Sequence, residues 1–366
     1  MVGGGPGAFI GAVHRTAARL DGRWRLVAGA FSGDPATSRA FGEGLGLAAD
    51  RCYADYRAMA AGEAERGDRI DAVAIVTPNH LHAPVAHAFL EAGVDVICDK
   101  PLAVSVAQAE ALADAVARTG RRFVLTHNYS GYPMVRHARA LVAAGTIGRV
   151  RTVQVEYAQD WLATAVERGD NRQAGWRTDP ARAGAGGALG DIGTHAFHLA
   201  GFVTGLRAEA LLADLSRFGA GRALDDDARV LLRFEGEARG MLWASQVAVG
   251  HANALRLRVH GERGGIAWAQ ESPDDLEVAP VGEPMRRLRR GQAGLSPDAL
   301  AATRVPAGHP EGYLEGFAQI YREAADLIGG IALAPLLPTV ADGVAGVRFV
   351  AAAVGSDRAG GTWVRP

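Results

Sequence analysis

Short apolar segments alternate with segments of helical length over the first third of the chain, and this alternation constrains the fold most strongly. The apolar segments, rich in Val and Ile, are residues 24–30, 70–76, 94–98 and 122–126. The segments of helical length are residues 36–47, 54–61, 82–92 and 106–119. Strands that are separated by helices at this spacing form a parallel sheet, and they are apolar throughout because both faces are buried. We therefore predict a parallel sheet with helices on both sides.

A glycine-rich segment, residues 3–11, precedes the first run of helical length. Glycines at a strand-to-helix turn let backbone N–H groups approach a pyrophosphate, which then lies at the positive end of the helix. Alone, such a segment fits an ordinary loop equally well. Together with the alternating pattern, it predicts a dinucleotide-binding, doubly wound sheet.

The pattern changes near residue 129, where strand-like segments follow one another without regular helices between them. They are residues 150–157, 209–217, 228–234, 240–249, 255–260 and 265–269. Several alternate apolar and polar residues, which is typical of an antiparallel sheet with one covered face. Further helices are predicted at 132–144, 312–328 and 340–354, and the basic cluster 286–290 is predicted to be a solvated loop. The predicted fold class is α/β, with a Rossmann domain in 1–128 and a C-terminal α+β domain with an open, mainly antiparallel sheet in 129–366.

Composition excludes several classes of protein. The chain has 366 residues, 48% hydrophobic and 22% charged, with a net charge of −1 and no basic tail, which argues against nucleic acid as a partner. No apolar segment is long enough to span a bilayer, and glycines stand where a signal peptide needs an apolar core. Two cysteines, Cys52 and Cys98, suit a reducing cytoplasm better than a disulfide framework.

A lysine after an apolar strand and a carboxylate–histidine pair are the candidate catalytic residues. Lys100 follows the segment 94–98, and Asp191 and His195 are four residues apart, so a helix would place them on one face. Hydride removal from a carbinol carbon requires its hydroxyl proton to leave, and a histidine with a pKa of about 6.5 is suited to accept it. His195 is the candidate base, Asp191 would orient or stabilise its imidazole, and Lys100 would polarise the substrate oxygen. Taken singly, His195 could be a core histidine and Lys100 a solvated cation.

No metal site is predicted. His195 and His198 are three residues apart, but no neighbouring cysteine and no His-Glu-x-x-His pattern accompanies them.

Candidate substrate contacts lie in loops beside these residues. Trp161, Trp176 and Arg177 lie in a polar, irregular stretch just before the predicted catalytic helix, where loops often carry specificity. Tryptophans that merely cover a sheet edge are an equally good interpretation. Asn128 and Tyr129 follow the last strand of the predicted parallel sheet, at the edge where ligands bind.

The cofactor preference is weakly encoded. An Asp or Glu at the end of the second strand would grip the ribose of NAD, but Ser32 takes that position and Asp34 comes two residues later. A small hydroxyl residue tolerates the 2′-phosphate of NADP, and Arg39 could approach it. The sequence therefore leans slightly to NADP.

Five motifs, in this order and at these spacings, resemble those of the Gfo/Idh/MocA family of NAD(P)-dependent oxidoreductases, and the resemblance covers essentially the whole chain. They are residues 3–11, 77–82, 99–102, 186–195 and 310–313. The resemblance implies that Lys100, Asp191 and His195 are catalytic. It also implies that Thr77, Pro78, Asn79 and His82 line the cofactor. The complete expected cofactor site is Gly3, Gly5, Gly7, Ala8, Phe9, Ile10, Ser32, Thr77, Pro78, Asn79, His82, Asp99, Lys100 and Asn128. The expected substrate site is Lys100, Tyr129, Trp161, Trp176, Arg177, Asp191 and His195.

The function implied by this resemblance is hydride transfer between NAD(P) and a hydroxyl or carbonyl carbon of a sugar, sugar derivative or cyclitol. Two alternatives remain: an NAD-retaining glycosidase of the same family, and a non-catalytic NAD(P)-sensing regulatory protein. Intact Lys100, Asp191 and His195 argue against the sensor. We also expect a homodimer or homotetramer packed through the C-terminal sheet, although the alternation does not show which row of that sheet faces the partner.

Two departures from the family pattern stand out. Only Met1 and Val2 precede the glycines, less than a usual strand, so we expect a version extended upstream by about six to eight residues to be more stable. Asp99 stands where the family usually has Glu, with the same charge on a shorter side chain, and we expect its role to be retained.

Overall fold

The computed structural model describes residues 1–169, 171–331 and 336–366, and the chain forms two compact units. Unit 1 comprises Met1–Asn128 and Leu314–Val344, and unit 2 comprises Tyr129–Tyr313 and Ala345–Pro366. The sequence-based division assigned all of 129–366 to one domain, whereas Leu314–Val344 joins the first unit. None of the described helices is long and apolar enough to cross a membrane.

The strands and helices follow the predicted order closely. The strands are β1 (Val2–Gly3), β2 (Ala72–Val76), β3 (Asp95–Cys98), β4 (Phe123–Leu125), β5 (Val150–Ala158), β6 (Ala208–Ser216), β7 (Asp227–Phe234), β8 (Arg239–Ser245), β9 (Ala254–Gly261), β10 (Gly264–Ala269), β11 (Asp275–Pro280) and β12 (Arg286–Arg289). The helices are α1 (Phe9–Leu20), α2 (Pro35–Gly44), α3 (Tyr56–Glu65), α4 (His82–Glu91), α5 (Val106–Thr119), α6 (Pro133–Ala143), α7 (Arg172–Arg177), α8 (Pro180–Ala183), α9 (Thr194–Thr204), α10 (Pro297–Ala302), α11 (Tyr313–Ile328) and α12 (Val340–Arg358).

The sheet of unit 1 is parallel, with the order β1-β2-β3-β4. Isolated parallel bridges extend it, joining Val2 to Ala30 and Gly29 to Cys52. This arrangement confirms the predicted Rossmann sheet. The predicted strand 24–30 is, however, reduced to isolated bridges at Gly29 and Ala30, since the neighbouring strand β1 spans only Val2–Gly3 and pairs no further along it.

Helix α11 explains why a late segment belongs to unit 1. Phe317, Ile320 and Tyr321 are buried on one face of this helix. The Tyr321 hydroxyl lies 2.8 Å from Nδ1 of His14, a fully buried residue of α1, and the Phe317 ring packs against the same imidazole. An amphipathic helix near the C-terminus thus completes the core of the first unit.

The sheet of unit 2 has the order β12-β11-β10-β9-β5-β8-β7-β6, and every neighbouring pair except β5 and β8 is antiparallel. This confirms the predicted, mainly antiparallel second sheet. The predicted loop at 286–290 is wrong, since Arg286–Arg289 forms the edge strand β12. Its arginines pair across the hairpin, Arg287 with Glu277 at 3.2 Å and Arg289 with Asp275 at 2.8 Å, so the cationic run is compatible with a strand.

The sequence left open which row of residues in this sheet is covered by the core and which row lies on the open face, and the structure distinguishes them. Val153, Val155 and Leu257 are buried in the core of unit 2, whose residues also include Met134 of α6 and Leu199 of α9. The charged row lies on the open face, where Arg256 and Arg258 reach Glu156 at 3.6 and 4.0 Å. On the neighbouring strands of that face, Met241 and Leu231 are 48% and 44% exposed and lie opposite each other.

Candidate functional site

The glycine-rich turn in unit 1 joins β1 directly to α1. Gly11, in the first turns of α1, packs so closely on the turn that a Cβ atom there would lie 2.4 Å from the Gly4 Cα. Only glycine permits the helix to approach the turn so closely. This close approach lets a pyrophosphate reach the backbone N–H groups at the N-terminus of the helix. The predicted residues of this part of the site lie at the end of β1, in the turn and at the start of α1: Gly3, Gly5, Gly7, Ala8, Phe9 and Ile10.

The other predicted cofactor residues follow the carboxyl ends of parallel strands, which meet at one edge of a sheet. Thr77, Pro78 and Asn79 follow β2, Asp99 and Lys100 follow β3, Asn128 comes after β4, and Ser32 follows the bridge at Ala30. Within the described part of the chain, Thr77 Oγ1 and Asn128 Nδ2 are buried without a hydrogen-bond partner. Buried polar atoms are normally paired, so this edge fits a ligand as polar as a dinucleotide.

Asp99 organises the turn that carries Lys100. Its Oδ1 accepts hydrogen bonds from the Lys100 backbone N–H and from Thr126 Oγ1, both at 2.9 Å. The His14 Nε2 lies 4.0 Å from the same oxygen, and burial lowers the pKa of His14 to about 4. Although the Asp99 side chain is shorter than that of the expected Glu, its carboxylate still holds the turn that carries Lys100.

His82 links two of the predicted cofactor loops. The Nδ1 atom of this buried side chain lies 2.6 Å from the Pro101 carbonyl oxygen, and its Nε2 lies 2.9 Å from the Thr77 carbonyl oxygen. Burial lowers the pKa of His82, whereas the two carbonyls and Asp99 act in the opposite direction. The imidazole therefore connects the loop after β2 with the turn after β3.

In unit 2, the segment that carries Asp191 is a π-helical turn. Leu189–Gly193 is π-helical and leads into α9, where His195 lies. The sequence predicted one regular helix here, which is wrong for Asp191. Asp225 fixes the start of this segment, because its carboxylate accepts hydrogen bonds from the backbone N–H groups of Gly187 and Leu189 at 2.7 Å each. A Cβ at Gly187 would lie 2.0 Å from the Asp225 carbonyl oxygen, so glycine is required there. Such π-turns inside helices are frequent at functional sites.

Among the described residues, Gln246 and Arg177 contact the Asp191 carboxylate. Gln246 Nε2 donates to Asp191 Oδ2 at 2.8 Å, and Arg177 Nε lies 3.3 Å from the same oxygen. The Arg177 guanidinium stacks 4.2 Å over the Trp176 ring and donates to Gln173 Oε1 at 2.6 Å. Two residues that the sequence assigned to the substrate, Trp176 and Arg177, are thereby assembled around a predicted catalytic carboxylate.

His195 is buried among tyrosines. Its ring is 8% exposed and packs edge-to-face with Tyr129 at 5.0 Å between ring centroids. The Tyr129 hydroxyl lies 2.5 Å from the Tyr157 hydroxyl, which donates to Asn253 Oδ1 at 2.7 Å. Burial raises the pKa of Tyr129 to about 12 and the pKa of Tyr157 well above its ordinary value, so both remain neutral phenols.

The same polar chain reaches Trp161. Gln159 Nε2 donates to Asn253 Oδ1 at 2.7 Å, and the Trp161 indole N–H donates to Gln159 Oε1 at 3.1 Å. An indole N–H can only donate, which fixes the orientation of the Gln159 amide. Trp161 and Tyr129, two predicted substrate residues, are therefore the ends of one hydrogen-bonded chain.

Sequence reasoning missed the residues that organise this site: Tyr157, Gln159, Asp225, Gln246 and Asn253. Their amides, phenol and carboxylate have no distinctive spacing, and their partners are distant in sequence. The predicted catalytic residues lie in different units, with Lys100 in unit 1 and with Asp191 and His195 in unit 2. Among the described residues, no group of three or more His, Cys, Asp or Glu side chains could hold a metal ion.

Comparison with known families accounts for both units. A model described as an oxidoreductase family with an NAD-binding Rossmann fold matches residues 1–127, and one described as the GFO/IDH/MocA C-terminal domain matches residues 135–267. The chain belongs to the GFO/IDH/MocA family. It is accordingly an oxidoreductase with an NAD-binding Rossmann domain, and the family resemblance of its motifs is confirmed.

Individual GFO/IDH/MocA proteins resemble the chain over its full length. An uncharacterized oxidoreductase of Bacillus subtilis is 35% identical, covering 100% of this chain and 95% of the relative. The crystal structure of an oxidoreductase from Sinorhizobium meliloti is 50% identical, covers 100% of this chain and 98% of its own, and gives a TM-score of 0.91. An inositol dehydrogenase homolog from Azotobacter vinelandii, complexed with NADH and myo-inositol, is 37% identical, covers 100% and 96%, and gives a TM-score of 0.92.

Proposed function

We propose that the protein transfers a hydride between NAD(P) and the hydroxyl-bearing carbon of a sugar, sugar derivative or cyclitol. The observation that carries this proposal is the identity of residue 100. Lys100 is the only lysine in the sequence, so 38 of the 39 Lys and Arg residues are Arg. An arginine cannot replace a compact ammonium group whose proton is exchangeable. A chain that otherwise uses Arg retains Lys at the end of β3, where the family motif has its catalytic lysine.

In the proposed mechanism, a bound nicotinamide supplies the hydride acceptor or donor. The His195 imidazole accepts the substrate hydroxyl proton during oxidation and returns it during reduction. Asp191 stabilises the imidazolium form, and the Lys100 ammonium stabilises the negative charge that develops on the substrate oxygen. These roles use the buried position of His195 and the fixed carboxylate of Asp191, which support the assignment.

The remaining substrate contacts are proposed for Tyr129, Trp161, Trp176 and Arg177. The aromatic rings offer apolar faces to the C–H groups of a ring-shaped polyol, and Arg177 offers donors to its oxygens. The relative from Azotobacter vinelandii, which is complexed with myo-inositol, supports a polyol as the substrate class.

The division of labour between domains is also a proposal. Residues 1–128 would hold the dinucleotide through the glycine-rich turn, Thr77–His82 and Asn128, and residues 129–366 would carry substrate binding and oligomerisation. Both cysteines are free and buried, which supports the expected reducing, cytoplasmic location.

The function is tested by a substrate screen with NAD+ and NADP+. Inositols, monosaccharides and sugar acids are each incubated with the purified protein, and formation of the reduced nicotinamide is followed by absorbance. We expect turnover with at least one polyol class. Tight retention of NAD together with glycoside cleavage and no net cofactor reduction would favour the glycosidase alternative instead.

We propose a preference for NADP over NAD, and Ser32 is the residue that tests it. Asp34 is committed to the start of α2, where its carboxylate accepts from the Thr37 N–H at 2.7 Å, and the Ser32 hydroxyl accepts from the Asp34 N–H at 3.1 Å. Ser32→Asp would place a carboxylate against the 2′-phosphate. We expect it to lower the ratio of kcat/KM for NADP+ over NAD+ by about tenfold or more.

Ser32→Ala is the control, because it removes the hydroxyl without adding charge. Steady-state kinetics with both cofactors measures the ratio. A wild-type enzyme that already favours NAD+ tenfold would contradict the NADP preference.

We propose that the open face of the unit 2 sheet forms a homodimer or homotetramer. Met241 and Leu231 form an exposed apolar pair within a charged surround, which suits a symmetric contact. Met241→Asp is expected to shift the wild-type oligomer toward monomer in multi-angle light scattering. Val281→Asp, at an apolar residue that is 72% exposed in the β11–β12 turn, is the matched control. Wild-type monomer at micromolar concentration would refute this arrangement.

A further inference from the structure

Gln246 is a buried residue to which neither the motifs nor the proposed mechanism assigns a role. It follows the end of β8 and is 2% exposed. Its backbone is held on both sides, since its N–H donates to the Asp226 carbonyl at 2.8 Å and its carbonyl accepts from the Leu162 N–H at 3.0 Å. From this fixed position its side chain donates to Asp191 Oδ2 at 2.8 Å.

We propose that Gln246 is a positioning residue that keeps the Asp191 carboxylate ionised and correctly directed for its part in proton transfer at His195. This inference rests on the proposed function. It assigns to the Gln246 amide the task of setting the charge and orientation of the Asp191–His195 pair.

The chemistry of the contact supports this role. A donor to a carboxylate stabilises the ionised form and therefore lowers the pKa of the acid. Hydrogen bonds to charged groups are also shorter and stronger than those between neutral groups. Without a donor at this place, the Asp191 carboxylate would lose one partner, and solvent reaches this side chain only in part because it is 19% exposed.

The two supports of Asp191 differ in rigidity. Gln246 comes from a buried strand end, whereas Arg177 comes from the short helix α7, with its side chain 26% exposed. Both reach the same oxygen, Oδ2. The Gln246 amide therefore fixes the orientation of the Asp191 carboxylate. Arg177 adds a positive charge from a more exposed segment.

The charged and titratable groups around Asp191 determine the sign of the pH effect. Arg177 on α7 is cationic, His195 on α9 is the proposed base, and the phenols of Tyr129 and Tyr157 stay neutral. Burial raises the pKa of Asp225, which binds the preceding turn, and its N–H donors oppose this shift. Loss of the Gln246 donor destabilises the unprotonated pair, in which Asp191 is ionised and His195 is neutral. The coupled pair therefore takes up its proton at a higher pH, which moves the acid limb of kcat/KM to higher pH.

Gln246→Met tests the inference, because it keeps the length of the side chain and removes the donor. We expect the acid limb of the kcat/KM profile to move up by about one pH unit, with KM for the cofactor unchanged. Gln246→Glu places a second carboxylate against Asp191 and is expected to move the limb further in the same direction. Gln246→Glu also covers the case in which Gln246→Met does not fold, since it changes the same contact with Asp191 Oδ2.

The controls separate this inference from the function on which it rests. Gln292→Met makes the same chemical change at an exposed loop residue and should leave the limb in place. If Asp191→Asn is inactive but the limb is unmoved in folded Gln246→Met, the role of Gln246 is overturned. If Gln246→Met lowers kcat equally at every pH, Gln246 is only structural and the inference also fails. If Asp191→Asn retains normal turnover, the proposed function itself fails.

Discussion

The His195→Ala variant is expected to lose about a hundredfold or more in kcat near neutral pH. Removal of a general base costs this much when no other group can accept the proton during hydride transfer. The affinity for the cofactor should change by less than about twofold, because the alanine leaves unit 1 intact. Steady-state kinetics with the best polyol of the screen measures the first quantity, and cofactor titration by fluorescence measures the second.

A matched control lies on the same helix. His198 is three residues further along α9, where its ring stacks with Phe202 at 5.8 Å. His198→Ala should retain turnover close to that of the wild type, since this histidine has no part in the proposed chemistry. Near-normal turnover of His195→Ala would remove His195 from the mechanism.

The second large effect is expected at Lys100. Lys100→Met removes the charge that stabilises the developing alkoxide, and we expect kcat to fall by about a hundredfold or more. Lys100→Arg keeps a positive charge but replaces a compact ammonium by a planar guanidinium with a pKa above about 12. We expect this variant to lose about tenfold or more in kcat as well.

The comparison of the two variants is more informative than either alone. Every other Lys or Arg position of the chain holds Arg. An active Lys100→Arg variant would show that a positive charge of either kind is sufficient at position 100. That outcome would remove the observation on which the proposed function rests. Thermal unfolding of each variant, followed by circular dichroism, verifies that the loss is chemical.

Much of the parallel sheet could be predicted because its signals are local. β2 and β3 are short apolar strands whose ends carry Thr77 and Lys100, and the strand ends of a parallel sheet meet at one edge whatever the details of packing. Strand 24–30 was the exception, because only Gly29 and Ala30 find partners beside the short strand β1 and near Cys52. A propensity signal does not reveal which partner strand is available for pairing.

In the candidate site, too, some features could be predicted from local sequence and others depended on distant residues. The sequence by itself determined which residues carry the proposed chemistry, since the motif around Lys100 and the spacing of Asp191 and His195 can be recognised without coordinates. It also determined the alternation that makes β5 and β9 apolar on one face.

Only the tertiary structure decided how those residues are held. The start of the π-helical turn is held by Asp225, 36 residues from Leu189, and a donor to the Asp191 carboxylate comes from Gln246, 55 residues away. The open face of the sheet was decided by which row the helices α6 and α9 cover. The physical reason is that periodicity and strand ends are properties of neighbouring residues, whereas hydrogen-bond partners and covered faces depend on the order and register of strands that meet only after folding.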